Sequence, residues 1–230
     1  MKFRGIIFDF NGVLFWDADL QIQSWQTVAR QLRGYEMSQH ELLHEMHGRQ
    51  NGSVLGYLAG RAVVGPELKE LVQLKEGYYR ALCLQNPEKF VLSPGSEALL
   101  DALVGDDVPR TIATSSEITN VRFFIEHLNL ARWFDVSKFL FDDGARPGKP
   151  APDIYQAAAR QLHLDPADCV AVEDAVSGIA AAHAAGIGHI VGLGPAADHA
   201  SLAACPGVDE VIESLAALPQ ALWFRASPSA

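Results

Sequence analysis

Gly5-Ile6-Ile7-Phe8-Asp9-Phe10-Asn11-Gly12 decides the reading of this chain: an almost continuously apolar run, one carboxylate near its end, then an Asn-Gly pair. A short run without polar alternation suits a parallel strand covered on both faces. Asn-Gly is a strong turn signal. A strand is therefore expected over residues 5–10, delivering Asp9 to its carboxyl end.

Outward from that strand the period changes. Trp25, Val28, Ala29 and Leu32 recur at helical spacing, as do Leu68, Leu71 and Val72, with Tyr79 further on. Strand signals are few here, so the block reads as an inserted helical bundle. Beyond it, strands and helices alternate. Pro94-Gly95 opens a helix through Val104, and residues 111–114 form a short buried strand that ends in the polar run Ser115-Ser116-Glu117. A helix over 121–130, a strand near 138–141, a loop over 144–152 and a helix over 153–162 follow. A fourth strand, 169–172, meets Glu173-Asp174, and the next helix runs to Ala185 with Gly186 in the capping role. Residues 189–191 and 210–212 supply a fifth and a sixth strand, and 226–230 read as a frayed polar tail.

Alternation of this kind implies right-handed βαβ units. The expected fold class is α/β: a Rossmann-like, mainly parallel sheet sandwiched by helices, with an inserted α-helical cap. The core is assigned to residues 1–15 and 90–230 and the cap to 16–89.

Composition narrows the function. With 28 acidic against 18 basic residues, the average surface potential repels a nucleic-acid backbone and an anionic membrane, so neither is expected as a partner. No apolar run reaches the roughly 18 to 20 residues that span a bilayer. Three cysteines without a C-x-x-C spacing suit a reducing compartment and speak against a disulfide framework or zinc knuckle. Residues 1–5 lack a signal-peptide hydrophobic region. Cytoplasm is the expected location, and oligomeric state is left open.

In open α/β sheets the ligand site lies beyond the carboxyl ends of the strands. Four strand ends here lead to polar residues: Asp9, Thr114, Lys149 just beyond the third, and Glu173-Asp174. Phosphoryl transfer needs a nucleophile, a divalent cation and donors for the equatorial oxygens. Asp9 can attack phosphorus; Asp9 and Asp174 are hard oxygen ligands for Mg²⁺, and Glu173 can orient a water on the metal. Thr114 and neighbouring backbone N–H groups can hold phosphate, and Lys149 is a compact charge able to pair with nucleophile and phosphate.

In this order F-D-F-N-G-V-L, I-A-T-S-S, G-K-P-A-P-D and V-E-D-A-V-S-G-I resemble the four motifs of the haloacid dehalogenase-like hydrolase superfamily, and within it the β-phosphoglucomutase-like phosphatases. The resemblance spans nearly the whole chain, including the position of the helical insertion. It implies Asp9 as nucleophile, Thr114, Ser115 and Lys149 at the phosphate, and Asp9, the Asn11 carbonyl, Glu173 and Asp174 at a magnesium site. The substrate implied is a small phosphorylated metabolite. Arg49 falls where cap residues of mutase-like members reach a distal phosphate.

Position 11 departs from the family pattern, in which an aspartate serves as general acid and base. Asparagine cannot transfer that proton, and such a loss typically costs about 10²–10⁴-fold in rate. Three readings stay open: a leaving group that needs little protonation, such as an acyl or enol phosphate; another acid, Asp17 or Asp19; or phosphate binding without turnover, by a weakened or regulatory member. An engineered substitution is a further possibility. The stretch Phe15 to Gln21 also lacks the histidine of mutase members, which disfavours a phosphomutase. Carbon–halogen cleavage needs no metal, so Glu173-Asp174 speaks against it.

Other features read more plainly. His40, His44 and His47 share a helix face but lack an H-E-x-x-H pattern, so a solvated face is expected. Trp16, Trp25, Tyr57, Tyr78 and Tyr79 read as packing, with Trp16 and Phe15 also able to wall a substrate pocket. The stretch 144–149 is one residue short of a nucleotide phosphate loop and runs into Pro150; Gly192-Leu193-Gly194 lacks the third glycine of a dinucleotide fingerprint. No G-x-S-x-G element is present.

Overall fold

The computed structural model describes residues 3–46 and 49–223. In chain order, β1 (Gly5–Phe8) leads to α1 (Ala18–Arg33), the short α2 (Gln39–Glu41), α3 (Asn51–Ala59) and α4 (Gly65–Gln85). There follow α5 (Ser96–Gly105), β2 (Arg110–Glu117), α6 (Ile118–His127), β3 (Leu140–Asp142) and α7 (Asp153–Gln161). The chain continues through β4 (Cys169–Glu173), α8 (Val176–Ala184), β5 (His189–Leu193), α9 (His199–Ala203) and β6 (Glu210–Ile212). His47 and the tail 226–230 lie outside the described residues.

Two compact units emerge. One holds the residues up to Trp16 and those from Val91 onward; the other is Asp17–Phe90. In the first, all six strands are parallel in the order β3-β2-β1-β4-β5-β6. The chain grows from β1 toward one edge and then, from β4, toward the other. The crevice between β1 and β4 is thus the topological switch point where ligands of such sheets bind.

β1 and β4 are buried along their whole length because helices cover both faces of the sheet. Successive side chains alternate. Ile7 joins Ala113, Leu140 and Ala171 under Ile154, Tyr155, Ala158 and Ala159 of α7 and Ile179, Ala181 and Ala182 of α8, whose small residues let the helices approach closely. Phe8 faces the other way, edge-on to Phe134, while Phe10 stacks on Phe124 of α6 at 4.6 Å between ring centroids.

Several expectations on element ends are corrected. β1 stops at Phe8, because Phe10 enters the turn that closes with Gly12 donating its backbone N–H to the Phe15 carbonyl. β2 continues three residues past Thr114, held by pairing of Glu117 with Asp142 of β3 across an irregularity in the register. The helix after it starts at Ile118 and ends at His127, and Leu130 belongs to a separate 3₁₀ turn. Phe15 is fully buried against Phe10 and Phe124, so it packs the core and walls no open pocket. Trp16 and Tyr57 are exposed, not packed.

The helical unit has its own core of Trp25, Val28, Ala29, Met37, Leu42, Val54, Leu55 and Leu58. Gly34 closes α1 in the left-handed conformation, and a reciprocal Ser38–Glu41 capping box starts α2. Buried polar groups pair within the unit. The Lys75 ammonium meets Gln21 and Glu76, and the Asp17 carboxylate accepts from Tyr79 and Gln21. No described helix is long and apolar enough to cross a membrane.

Candidate active site

The site is assembled by the switch point. Asp9 follows the last residue of β1 and donates its backbone N–H to Val172 of β4 at 3.0 Å, so its side chain emerges where the two strands end. Glu173 is the last residue of β4 and its side chain is fully buried. Asp174 follows directly. One oxygen from each of Asp9, Glu173 and Asp174 lies within 4.8 Å of the others.

Lys149 supplies the counter-charge. Its ammonium donates to Asp9 Oδ1 at 3.0 Å, Glu173 Oε1 at 2.6 Å and the Ala113 carbonyl at 3.0 Å, which engages all three of its N–H groups. Glu173 Oε1 also accepts from the buried Tyr155 hydroxyl at 2.5 Å, and the Lys149 ammonium sits over the Tyr155 ring, 5.2 Å from its centroid.

Two glycines make room for the acids. Gly12 has φ +81°, and a Cβ there would overlap the Asp174 carboxylate; a Cβ on Gly178 of α8 would overlap the Glu173 carboxylate.

Burial pushes the Asp9 carboxyl up to about 7, opposed by the Lys149 ammonium and reinforced by Glu173. For Lys149 burial works against the charge, but the Asp9 and Glu173 carboxylates outweigh it and hold the ammonium above its ordinary pKa. Burial, with Glu173 next, drives the Tyr155 phenol well above its ordinary value.

Three carboxylates facing one ammonium leave two negative charges uncompensated when all are ionised. Glu173 Oε2 is buried with no hydrogen-bond partner among the described residues. An all-oxygen donor set of this kind, without cysteine or histidine, fits a hard divalent cation such as Mg²⁺.

The remaining sequence-predicted residues fall in different places. Thr114 is buried on β2, its hydroxyl accepting from the Ser116 N–H at 3.1 Å. Ser115 is exposed. Asn11 Oδ1 accepts from the Ser116 hydroxyl at 2.8 Å. Arg49 belongs to the helical unit, where its guanidinium donates to the His44 carbonyl at 3.0 Å and lies 3.8 Å from Glu45. Asp17, a candidate substitute acid, is buried and held by Tyr79 and Gln21; Asp19 pairs with Lys89. Sequence reasoning missed Tyr155, Ser116 and Gly178. For Tyr155 the available signal was that a tyrosine on an apolar helix face needs an acceptor.

A carboxylate beside a buried lysine and two further acids thus stands at the switch point of an open α/β sheet, where such sheets bind ligands. The family model of the haloacid dehalogenase-like hydrolases matches residues 3–186, and the chain belongs to that family. It is 29% identical over 218 residues to hexitol phosphatase A of Escherichia coli strain K12, covering 94% of this chain and 93% of that protein. To the β-phosphoglucomutase of Bacillus subtilis strain 168 it is 29% identical over 195 residues, 83% of each. A crystal structure of a family IA, variant 3 hydrolase from Entamoeba histolytica superimposes with a TM-score of 0.89 at 32% identity, over 96% of this chain and 97% of that one.

Proposed function

We propose that this hydrolase is a phosphoric monoester hydrolase that removes phosphate from a small phosphorylated metabolite in the cytoplasm, through a phosphoryl group carried on Asp9. The observation that carries the reading is the Lys149 ammonium, 3.0 Å from Asp9 and 2.6 Å from Glu173. A cation so placed opposes the effect of burial on the nucleophile, favouring its ionised form, and faces the phosphate charge. Relatives named as a hexitol phosphatase and a β-phosphoglucomutase support a small phosphorylated metabolite as the class of substrate.

In this reading Asp9 attacks phosphorus in line with the leaving oxygen, while Thr114 and Ser115 hold phosphate oxygens. Asp9, Asp174, the Asn11 carbonyl and Glu173 would hold Mg²⁺, which supplies neutralisation of phosphate charge when bound. Lys149 fixes the orientation of Asp9, and Tyr155 that of Glu173. The hydrogen bond from Ser116 to Asn11 favours a second reading, a weakened phosphate-binding member, because it occupies the position of the family's acid and base with an amide.

Phosphate release from sugar phosphates, nucleotides and acyl phosphates, with and without Mg²⁺, tests the first reading. Magnesium-dependent release abolished by Asp9→Asn supports it. Tight binding of beryllium fluoride with Mg²⁺ but no release from any substrate favours the second.

A further inference from the structure

We infer that the substrates of this enzyme are phosphates whose leaving group departs without being protonated, namely acyl, enol and aryl phosphates, because Asn11, two residues past the nucleophile, is held in an amide–hydroxyl pair with Ser116. The inference rests on the reading that Asp9 accepts the phosphoryl group.

The pair is built into the sheet. The Ser116 N–H is bound to Thr114 Oγ1 at 3.1 Å, and the Ser116 hydroxyl donates to Asn11 Oδ1 at 2.8 Å. The Asn11 carbonyl oxygen is therefore already an acceptor, and a carboxamide has no proton to give at neutral pH. A hydrogen-bond donor is not an acid.

Among the described residues of the sheet unit, the donors that reach Asp9 and Glu173 are committed. All three N–H groups of Lys149 have acceptors, in Asp9, Glu173 and the Ala113 carbonyl. The Tyr155 hydroxyl is spent on Glu173.

The chemistry follows. An Asp9 oxygen forms a bond to phosphorus as the bond from phosphorus to the leaving oxygen breaks, and that electron pair leaves on the oxygen as an anion. A carboxylate, enolate or phenolate carries the charge readily; an alkoxide does not. Water then attacks phosphorus, the bond to Asp9 breaks with its electrons returning to the carboxylate, and the water's second proton ends on the phosphate released.

The test is kcat/KM with Mg²⁺ for acetyl, 4-nitrophenyl, phenyl and glycerol phosphates. General acid catalysis is typically worth about 10²–10⁴-fold, so the wild type should lose about that factor between acetyl and glycerol phosphate. Asn11→Asp should recover much of it for glycerol phosphate alone. Wild-type rates that agree within about threefold across the series would overturn the inference while leaving the phosphatase reading intact. Release from none of these four compounds nor from sugar phosphates and nucleotides, with beryllium fluoride still bound, would sink both. The wild-type series decides by itself, so a poorly folding Asn11→Asp protein changes nothing.

Discussion

Lys149 and Asp9, 140 positions apart in the chain, meet as a buried ion pair at 3.0 Å, with a second carboxylate, Glu173, 2.6 Å from the same ammonium. Removing one partner of a buried pair leaves uncompensated charge and typically costs about 3–5 kcal/mol. Lys149→Ala should therefore destabilise the metal-free protein by that order in urea unfolding. Millimolar Mg²⁺ should restore part of the loss. Equal stability of variant and wild type without metal would show that the pair contributes nothing to the fold.

The pH dependence of stability follows from Asp9. Its carboxyl is raised to about 7 by burial, against an ordinary value of 3.8. Between those values the folded state keeps a proton that the unfolded state has released, so this group's contribution to metal-free stability falls as pH rises through the window and levels off above about 7. Mg²⁺ needs the ionised carboxylate, so its stabilising shift in melting temperature should grow over the same window. Melting curves with and without Mg²⁺ between about pH 5 and pH 8 check both slopes. A magnesium shift larger at the acid end would contradict the assignment.

Tyr155→Phe deletes one hydroxyl and leaves Glu173 Oε1 with Lys149 as its donor. Hydrogen bonds to charged groups contribute about 1.5–3 kcal/mol, and a loss of that order is expected in unfolding experiments. A freed Glu173 should also weaken Mg²⁺ binding, seen as a higher magnesium concentration for half-maximal thermal shift. An unchanged magnesium titration would reduce Tyr155 to a packing residue.

Gly178→Ala tests the packing of α8 on Glu173. The added methyl would overlap the carboxylate, and overpacking of this kind costs typically about 1–3 kcal/mol. The magnesium-dependent thermal shift should shrink as well. An alanine variant with wild-type stability and magnesium response would mean that the helix moves freely away from the site.

What could be read from the chain divides along physical lines. Apolar runs that end at turns announce strands, so β1 and β4 were legible to within two residues at their ends, with the acids that stand there. The helical period likewise marked residues 16–89 as a helical block, against the compact unit Asp17–Phe90. β2 was read short because Ser115, Ser116 and Glu117 have little strand preference; pairing of Glu117 with Asp142 extends it, and pairing is tertiary. That extension decides which serine meets Asn11, since alternation puts Ser116, not Ser115, on the side of Thr114. The partner of Tyr155 was hidden for a related reason: a tyrosine on an alanine-rich helix face signals the need for an acceptor, and only the fold brings Glu173 to its hydroxyl.

The central claim is that Asp9 carries the phosphoryl group. Mass spectrometry of the protein quenched in acid during turnover of acetyl phosphate with Mg²⁺ tests it most directly. The account predicts one added phosphoryl group on the peptide containing Asp9, absent in Asp9→Asn and without metal. Phosphate released at full rate with no modified peptide, or with the label on another residue, would contradict it.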